Sequence, residues 1–278
     1  MLIAHFFDRI PIWLLFAGTI AVLVLFIEFG FRLGKRAQIN STRAQTSQVR
    51  AIMGAGLGLL AFMLAFTFST AQSHFENRVQ SLAEEARIAR NAFMHADLLP
   101  EPGRTEAKET LKNYIKIRAG ISTVQGKSAE EQVGKLIRLS EQAHQELWYL
   151  AVSTAVEAET HGRSESDTAF MGSVLALTDI HYTRVHAAVM NRIPFTIWIT
   201  LYLMAALSMI IMGYQAGLTD RRSPVATVTL AVAFSVVIIL ITDLDRPIMS
   251  FFDINKQLLV DLYDDMEADL RLEYYPGD

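Results

Sequence analysis

Residues 51–72 read AIMGAGLGLLAFMLAFTFSTAQ, an apolar run without a single charged side chain. A helix needs about 20 such residues to cross the roughly 30 Å hydrocarbon layer of a bilayer. Comparable apolar runs occur at residues 11–34, 193–218 and 225–242. A helix satisfies its own backbone polar groups, which is the requirement for a single segment that spans lipid. We therefore predict an all-α integral membrane protein with four transmembrane helices.

The composition excludes several classes of function. The 278 residues include no cysteine, which rules out disulfides, thiolate metal sites and cysteine nucleophiles. The net charge is -4 and no long basic run occurs, so nucleic acid is not an expected partner. Glycine-rich phosphate loops and the common hydrolase and zinc-protease motifs are absent from the sequence. We expect neither catalysis nor a cofactor.

The polar stretch between the second and third apolar segments predicts a helical insert. Residues 73–99 contain no proline or glycine and repeat apolar side chains at helical spacing, so one helix should run from about residue 52 to residue 98. The sequence PEPG at residues 100–103 should end it. Three further insert helices are predicted, at residues 104–119, at residues 128–160, and from a cap at Ser164 or Ser166 to residue 192.

These features divide the chain into four parts. The acidic tail alternates apolar and charged residues with helical period, so we expect a helix that lies on the insert or on a neighbouring subunit. The predicted parts are residues 1–72 with two membrane helices and a basic loop, residues 73–192 with the extramembrane insert, residues 193–242 with two membrane helices, and residues 243–278 with the tail.

Lysine and arginine predict the orientation in the membrane. They concentrate in the two short connections, residues 35–50 and residues 219–224. Short basic loops face the cytoplasm, whereas long domains cross the membrane largely regardless of their charge. We therefore expect cytoplasmic loops and a periplasmic insert.

Two glycine pairs predict close helix packing. Gly54 and Gly58 lie one turn apart in the second segment, and Gly213 and Gly217 do so in the third. Small residues at this spacing let membrane helices approach closely.

Several short sequences resemble a known family. Residues 64–78 read LAFTFSTAQSHFENR, which resembles the bestrophin channel signature at the end of a pore helix. Other runs are similar to the bacterial bestrophin-like membrane proteins: RIP at residues 192–194, GYQAG at 213–217, RR at 221–222 and DLDRP at 243–247. The resemblance implies a multi-pass protein of the bacterial inner membrane, which assembles as a homo-oligomer, by analogy a pentamer, and conducts ions through a pore lined by the second segment.

The sequence also departs from true bestrophins. His74 stands where they usually have arginine, and Glu76 stands at the second aromatic position. An acidic calcium clasp joined to the fourth helix in the bestrophin manner is missing. True bestrophins keep their helical body in the cytoplasm, whereas the charges of this chain predict a periplasmic insert.

One flank of the second segment carries the pore candidates. Phe62 and Phe66 lie one turn apart and could form an apolar constriction that gates a pore by dewetting. They could equally make ordinary contacts with lipid or other helices. The hydroxyl of Thr67 is expected to face the pore together with those of Ser69 and Ser73. The pore candidates are Leu59, Phe62, Phe66, Ser69 and Ser73.

Charged residues at the end of the fourth segment form a second candidate site. Asp243, Asp245 and Arg246 could hold the helix end through an Asp–Arg pair, or they could form a regulatory cation site, since carboxylates suit hard cations. His181 and His186 are five residues apart on a helix, too far around it for a clean metal-binding pair, and we expect no metal there.

Two functions remain open. The first is an oligomeric ion channel whose partners are the lipid bilayer, ions and further copies of the chain. The second is a non-conducting, membrane-anchored interaction or sensory protein whose helical insert binds another protein. A closed ring of subunits with the second segment on its axis favours the first function.

Overall fold

The computed structural model describes residues 10–40, 42–120, 129–161, 164–190, 192–220, 223–246 and 257–274. Within these ranges the chain is helical and no strand occurs, which confirms the all-α prediction. The α-helices are α1 (Ile12–Ala37), α2 (Arg43–Ala96), α3 (Gly103–Gly120), α4 (Ala129–His161), α5 (Ser164–Met190), α6 (Phe195–Thr219), α7 (Pro224–Asp245) and α8 (Gln257–Tyr274), with a short 3-10 helix at Gln38–Asn40.

Four of these helices are long and apolar enough to cross a membrane, as predicted. They are α1, α2, α6 and α7. Helix α2 is much longer than a bilayer needs, with 54 residues, and it continues without interruption from the second apolar segment into the insert. The predicted continuous helix is therefore confirmed, although it begins earlier in the chain than residue 52.

The early start of α2 corrects the predicted basic loop. The main-chain N–H of Thr42 donates to Oε1 of Gln45 at 2.9 Å, and the N–H of Gln45 donates to Oγ1 of Thr42 at 3.3 Å. This reciprocal capping box satisfies two donors that a helix start leaves without partners. As a result Arg43 and Arg50 lie within α2, and the connection from α1 is far shorter than residues 35–50.

The chain divides into two compact units. The membrane unit comprises Met1–Phe75 and Arg192–Phe252, and the helical unit comprises Glu76–Asn191 and Asp253–Asp278. Helix α2 contributes residues to both. The observed ends of the insert helices α3, α4 and α5 lie within two residues of the predicted ends, where the structure describes them.

The amphipathic tail helix α8 belongs to the core of the helical unit. Its buried side chains recur three and four residues apart, and Lys108 on α3 binds Asp269 on α8 with an Nζ–Oδ2 distance of 2.9 Å. The predicted contact of the tail with the insert is thus present within one chain. The buried side chains of α8 are Leu259, Leu262, Met266 and Leu270. Three further apolar residues of the amphipathic tail, Phe251, Phe252 and Ile254, lie outside the described residues.

Glycines determine how two membrane helices pack. A Cβ atom added at Gly217 of α6 would lie 2.4 Å from the carbonyl oxygen of Phe31 on α1, and one at Gly34 would lie 2.2 Å from that of Tyr214. The predicted pair in the third segment therefore packs against glycines of α1. The predicted pair in α2 does not pack within the chain, because no described atom lies within 4 Å of a Cβ at Gly54 or Gly58.

Candidate functional site

The five pore candidates form a single exposed stripe along α2. They follow one another at intervals of three, four, three and four residues, which keeps them on one face of a helix. Leu59, Phe62 and Phe66 are 50%, 66% and 57% exposed. Ser69 and Ser73 continue the stripe and are also exposed. Within one chain this surface is open to lipid, to water or to another subunit.

The opposite face of α2 packs into the membrane unit. Leu60, Leu64, Thr67 and Ala71 are buried there, again at helical spacing. The Oγ1 of Thr67 donates to the carbonyl oxygen of Met63 at 2.7 Å. The expectation that Thr67 shares a pore-facing surface with the two serines is therefore wrong, because packing turns it toward its own chain.

The aspartates and arginine at the end of α7 connect chain segments that are distant in sequence. The Oδ1 of Asp245 accepts a hydrogen bond from the main-chain N–H of Ile193 at 2.9 Å. The Nη2 of Arg246 donates to the carbonyl oxygen of Ile10 at 2.9 Å. Asp243 and Arg246 are only 2% and 4% exposed. These contacts join the end of α7 to the start of α6 and to the chain before α1.

Asp245 and Arg246 thus contact main-chain groups of other segments, and both the Asp–Arg pair and the cation site stay predictions. Within the described ranges, no group of three or more histidine or carboxylate side chains could hold a metal ion. His186, the other half of the weak histidine pair, has a side chain outside the described residues.

The helical unit contains a polar site that the sequence did not predict. The carboxylate of Glu85 on α2 is fully buried and accepts hydrogen bonds from the hydroxyl of Tyr114 and from Nε of Arg118, the latter at 2.8 Å. Arg184 on α5 makes an ion pair with the same carboxylate. We call this site the Glu85 cluster. Its members are Glu85, Tyr114, Arg118, His144, His181 and Arg184.

Two buried histidines complete the Glu85 cluster. The ring centroids of His144 on α4 and His181 on α5 are 4.6 Å apart, and that of His144 lies 4.7 Å from Tyr114. Within the described structure, both ring nitrogens of His144 and the Nδ1 of His181 lack a hydrogen-bond partner. A buried polar atom without a partner is unfavourable and calls for a physical explanation.

Burial controls the ionisation of this cluster. Burial, with a smaller effect from the nearby charge of Arg118, lowers the pKa of His144 to about 3 and that of His181 to about 4, and His181 also contributes to the lowered pKa of His144. Burial also raises the pKa of Tyr114 to about 12. At neutral pH both histidines and the tyrosine are therefore uncharged.

The sequence carried little signal for this cluster. His181 and Arg184 are three residues apart and so share a helix face, as do Tyr114 and Arg118 at a spacing of four. Nothing in the sequence relates either pair to the other, or to Glu85 on a separate helix. An acidic residue on an apolar helix face, with Leu82, Ala86 and Ala89 around it, is the only local indication of a buried charge.

Four helices that are long and apolar enough to cross a membrane define the class of this chain, a multi-pass membrane protein of all-α fold. The family model described as the Bestrophin-like domain matches residues 14–257, which include α2, α6, α7 and all but the first two residues of α1. The chain belongs to the bestrophin-like family, as its sequence motifs had indicated. No curated protein and no solved structure matches it.

Proposed function

We propose that this protein is an oligomeric ion channel of the bacterial inner membrane, with α2 lining the pore, and that it is not an enzyme. The observation that supports this most directly is the exposed stripe of α2, where two phenylalanines are followed by two serines. Membership of the bestrophin-like family supports it too, because bestrophins are ion channels.

Symmetry explains how one stripe could form a pore. In a closed ring each subunit contributes the same side chains, so a single residue becomes a ring of identical groups. Rings of Phe62 and Phe66 would make an apolar constriction, and such constrictions gate by excluding water. Rings of Ser69 and Ser73 would supply hydroxyl groups to the adjoining, wetter part of the pore. In this proposal the ring is a pentamer, by family resemblance.

A specific observation also favours the second candidate, a non-conducting interaction or sensory protein. The helical unit exposes large side chains of a kind that protein partners often cover, with Tyr149 73% exposed and Tyr182 62% exposed. These residues lie on α4 and α5. A partner that binds there would need no pore, so conduction is the property that separates the two candidates.

The test is ion flux through liposomes that contain the purified protein. The double variant Phe62→Ala, Phe66→Ala removes the apolar constriction and should raise flux on the order of tenfold or more, since each 1.4 kcal/mol removed from a barrier is a factor of ten. The matched control is Leu25→Ala, Phe29→Ala on α1. Its two residues are also one turn apart and are 67% and 54% exposed.

Both variants remove exposed side chains, so neither should leave a cavity within the subunit. Flux that rises with the α2 variant and stays at the parent level with the α1 control supports the pore. If both variants fold and both conduct at the parent level, the pore assignment is overturned and the interaction protein is favoured. Native mass spectrometry of the same samples gives the subunit number, and a monomer or dimer would contradict a ring.

A further inference from the structure

The two histidines of the Glu85 cluster lie where four helices meet. Glu85 comes from α2, Tyr114 from α3, His144 from α4 and His181 from α5. The exposed fractions of the two histidines are 7% and 1%. Their rings contact each other and the tyrosine, but three of their four ring nitrogens lack a hydrogen-bond partner in the described structure.

Charged members of the Glu85 cluster meet at a single carboxylate. Arg118 and Arg184 both pair with Glu85, so among the named members of the cluster positive side chains outnumber negative ones. Protonation of a histidine would add a further positive charge in a place from which water is excluded. Hydrogen bonds, ion pairs and ring contacts within the described residues bring these titratable or charged groups to the cluster: Glu85 on α2, Tyr114 and Arg118 on α3, and Tyr182 and Arg184 on α5.

We infer that the Glu85 cluster is an acid-sensitive latch of the helical unit. Uncharged rings of His144 and His181 pack against each other and hold α4 and α5 onto α2 and α3. When the rings take up protons, their positive charges lie next to each other and close to that of Arg118. Because these charges repel, the contact between the helices opens. The latch concerns the helical unit alone, so it does not depend on whether α2 lines a pore.

The pH window follows from the direction of the pKa shifts. Both histidines have a pKa below the ordinary value of 6.5 in the closed unit and regain that value when it opens. The opened state therefore binds more protons below pH 6.5, and stability falls as the pH falls. For each pH unit of acidification below 6.5, one histidine should raise the equilibrium constant for opening about tenfold, and the two together should raise it about a hundredfold. The contribution of each histidine to this rise ends near its pKa in the closed unit, which is about 4 for His181 and about 3 for His144.

Hydrogen–deuterium exchange on the full-length protein in nanodiscs tests the latch. Peptides from α4 and α5 are followed between pH 7.5 and 4.5, and each rate is corrected for the intrinsic dependence of exchange on pH. Above pH 6.5 the corrected opening constant should be flat. Below it the constant should rise steeply, by up to about a hundredfold per pH unit. An opening constant that stays flat down to pH 4.5 overturns the proposal without any variant.

Variants then show which residues take up the protons. His144→Phe keeps an aromatic ring at the contact but cannot titrate, so the slope should fall to about tenfold per pH unit. With His181→Phe added, the dependence should vanish. His95→Phe is the matched control: His95 lies outside the cluster, with Nδ1 2.5 Å from Oγ of Ser173, and its removal should leave the slope unchanged.

If the double variant keeps the full pH dependence of the opening constant, other groups take up the protons and the latch proposal is overturned. If the double variant fails to fold, the two single variants decide the matter, because each alone must halve the logarithmic slope. Loss of the slope in the His95→Phe control would also contradict a latch built from the cluster.

Discussion

A Cβ atom added to Gly213 on α6 would lie 2.0 Å from the carbonyl oxygen of Ile27 on α1. The contact is reciprocal, because a Cβ at Gly30 on α1 would lie 2.1 Å from the carbonyl oxygen of Ile210 on α6. At such distances no side chain fits unless the two backbones separate. The association of membrane helices relies on close packing of this kind, since lipid supplies no hydrophobic driving force between them.

Gly213→Ala should therefore destabilise the membrane unit. The added methyl group meets backbone atoms, which cannot rotate away, and overpacking of this kind typically costs about 1–3 kcal/mol. We expect a clear fall in the thermal unfolding midpoint of the detergent-solubilised protein. Gly18→Ala on α1 is the matched control, because no described atom lies within 4 Å of its added Cβ. Equal midpoints for the two variants would show that α1 and α6 do not pack this closely.

Glu85→Gln should destabilise the helical unit far more than the same change at the preceding residue. Glu85 is the carboxylate that pairs with Arg118 and Arg184, and loss of one partner of a buried ion pair typically costs about 3–5 kcal/mol. Glu84 pairs with Arg87 on the exposed side of the same helix, so Glu84→Gln should leave stability at the parent level. The measurement is chemical denaturation followed by far-ultraviolet circular dichroism. Similar midpoints for both variants would contradict a buried, paired Glu85.

Asp245 allows a test between a structural site and a cation site. Asp245→Ala removes the acceptor of the Ile193 N–H and should cost about 1–3 kcal/mol, whereas Asp245→Asn keeps an acceptor oxygen and should cost less. Calcium should leave the thermal midpoint of the parent unchanged, because in this arrangement the carboxylate binds protein groups. A midpoint that rises with calcium in the parent but not in Asp245→Asn would indicate a cation site instead.

The orientation of the chain can be measured without removing any native thiol, since the sequence has no cysteine. The charge distribution predicts that Glu109→Cys in the helical unit reacts with a membrane-impermeant maleimide in intact spheroplasts. Asp220→Cys, in the connection between α6 and α7, should react only after lysis. The opposite pattern would place the helical unit in the cytoplasm, as in true bestrophins.

The helices of this fold follow from local properties of the sequence. Whether a run can span a bilayer depends on its length and apolarity, which are local properties, so all four membrane helices could be predicted. The same holds for the end of α2 before Pro100 and for the amphipathic face of α8. The start of α2 was also present in the sequence, as the spacing of Thr42 and Gln45, although the basic residues around it had suggested a loop.

Which faces of these helices meet depends on how the whole chain packs. Thr67 and Ser69 are equally suited to either face of α2, and packing buries the first and leaves the second exposed. Gly213 is a candidate for close packing in the sequence, but its neighbour Ile27 is known only from the fold. The Glu85 cluster is the clearest case. Its side chains come from four helices, and each is an isolated polar residue until folding excludes water around them and makes their charges depend on one another.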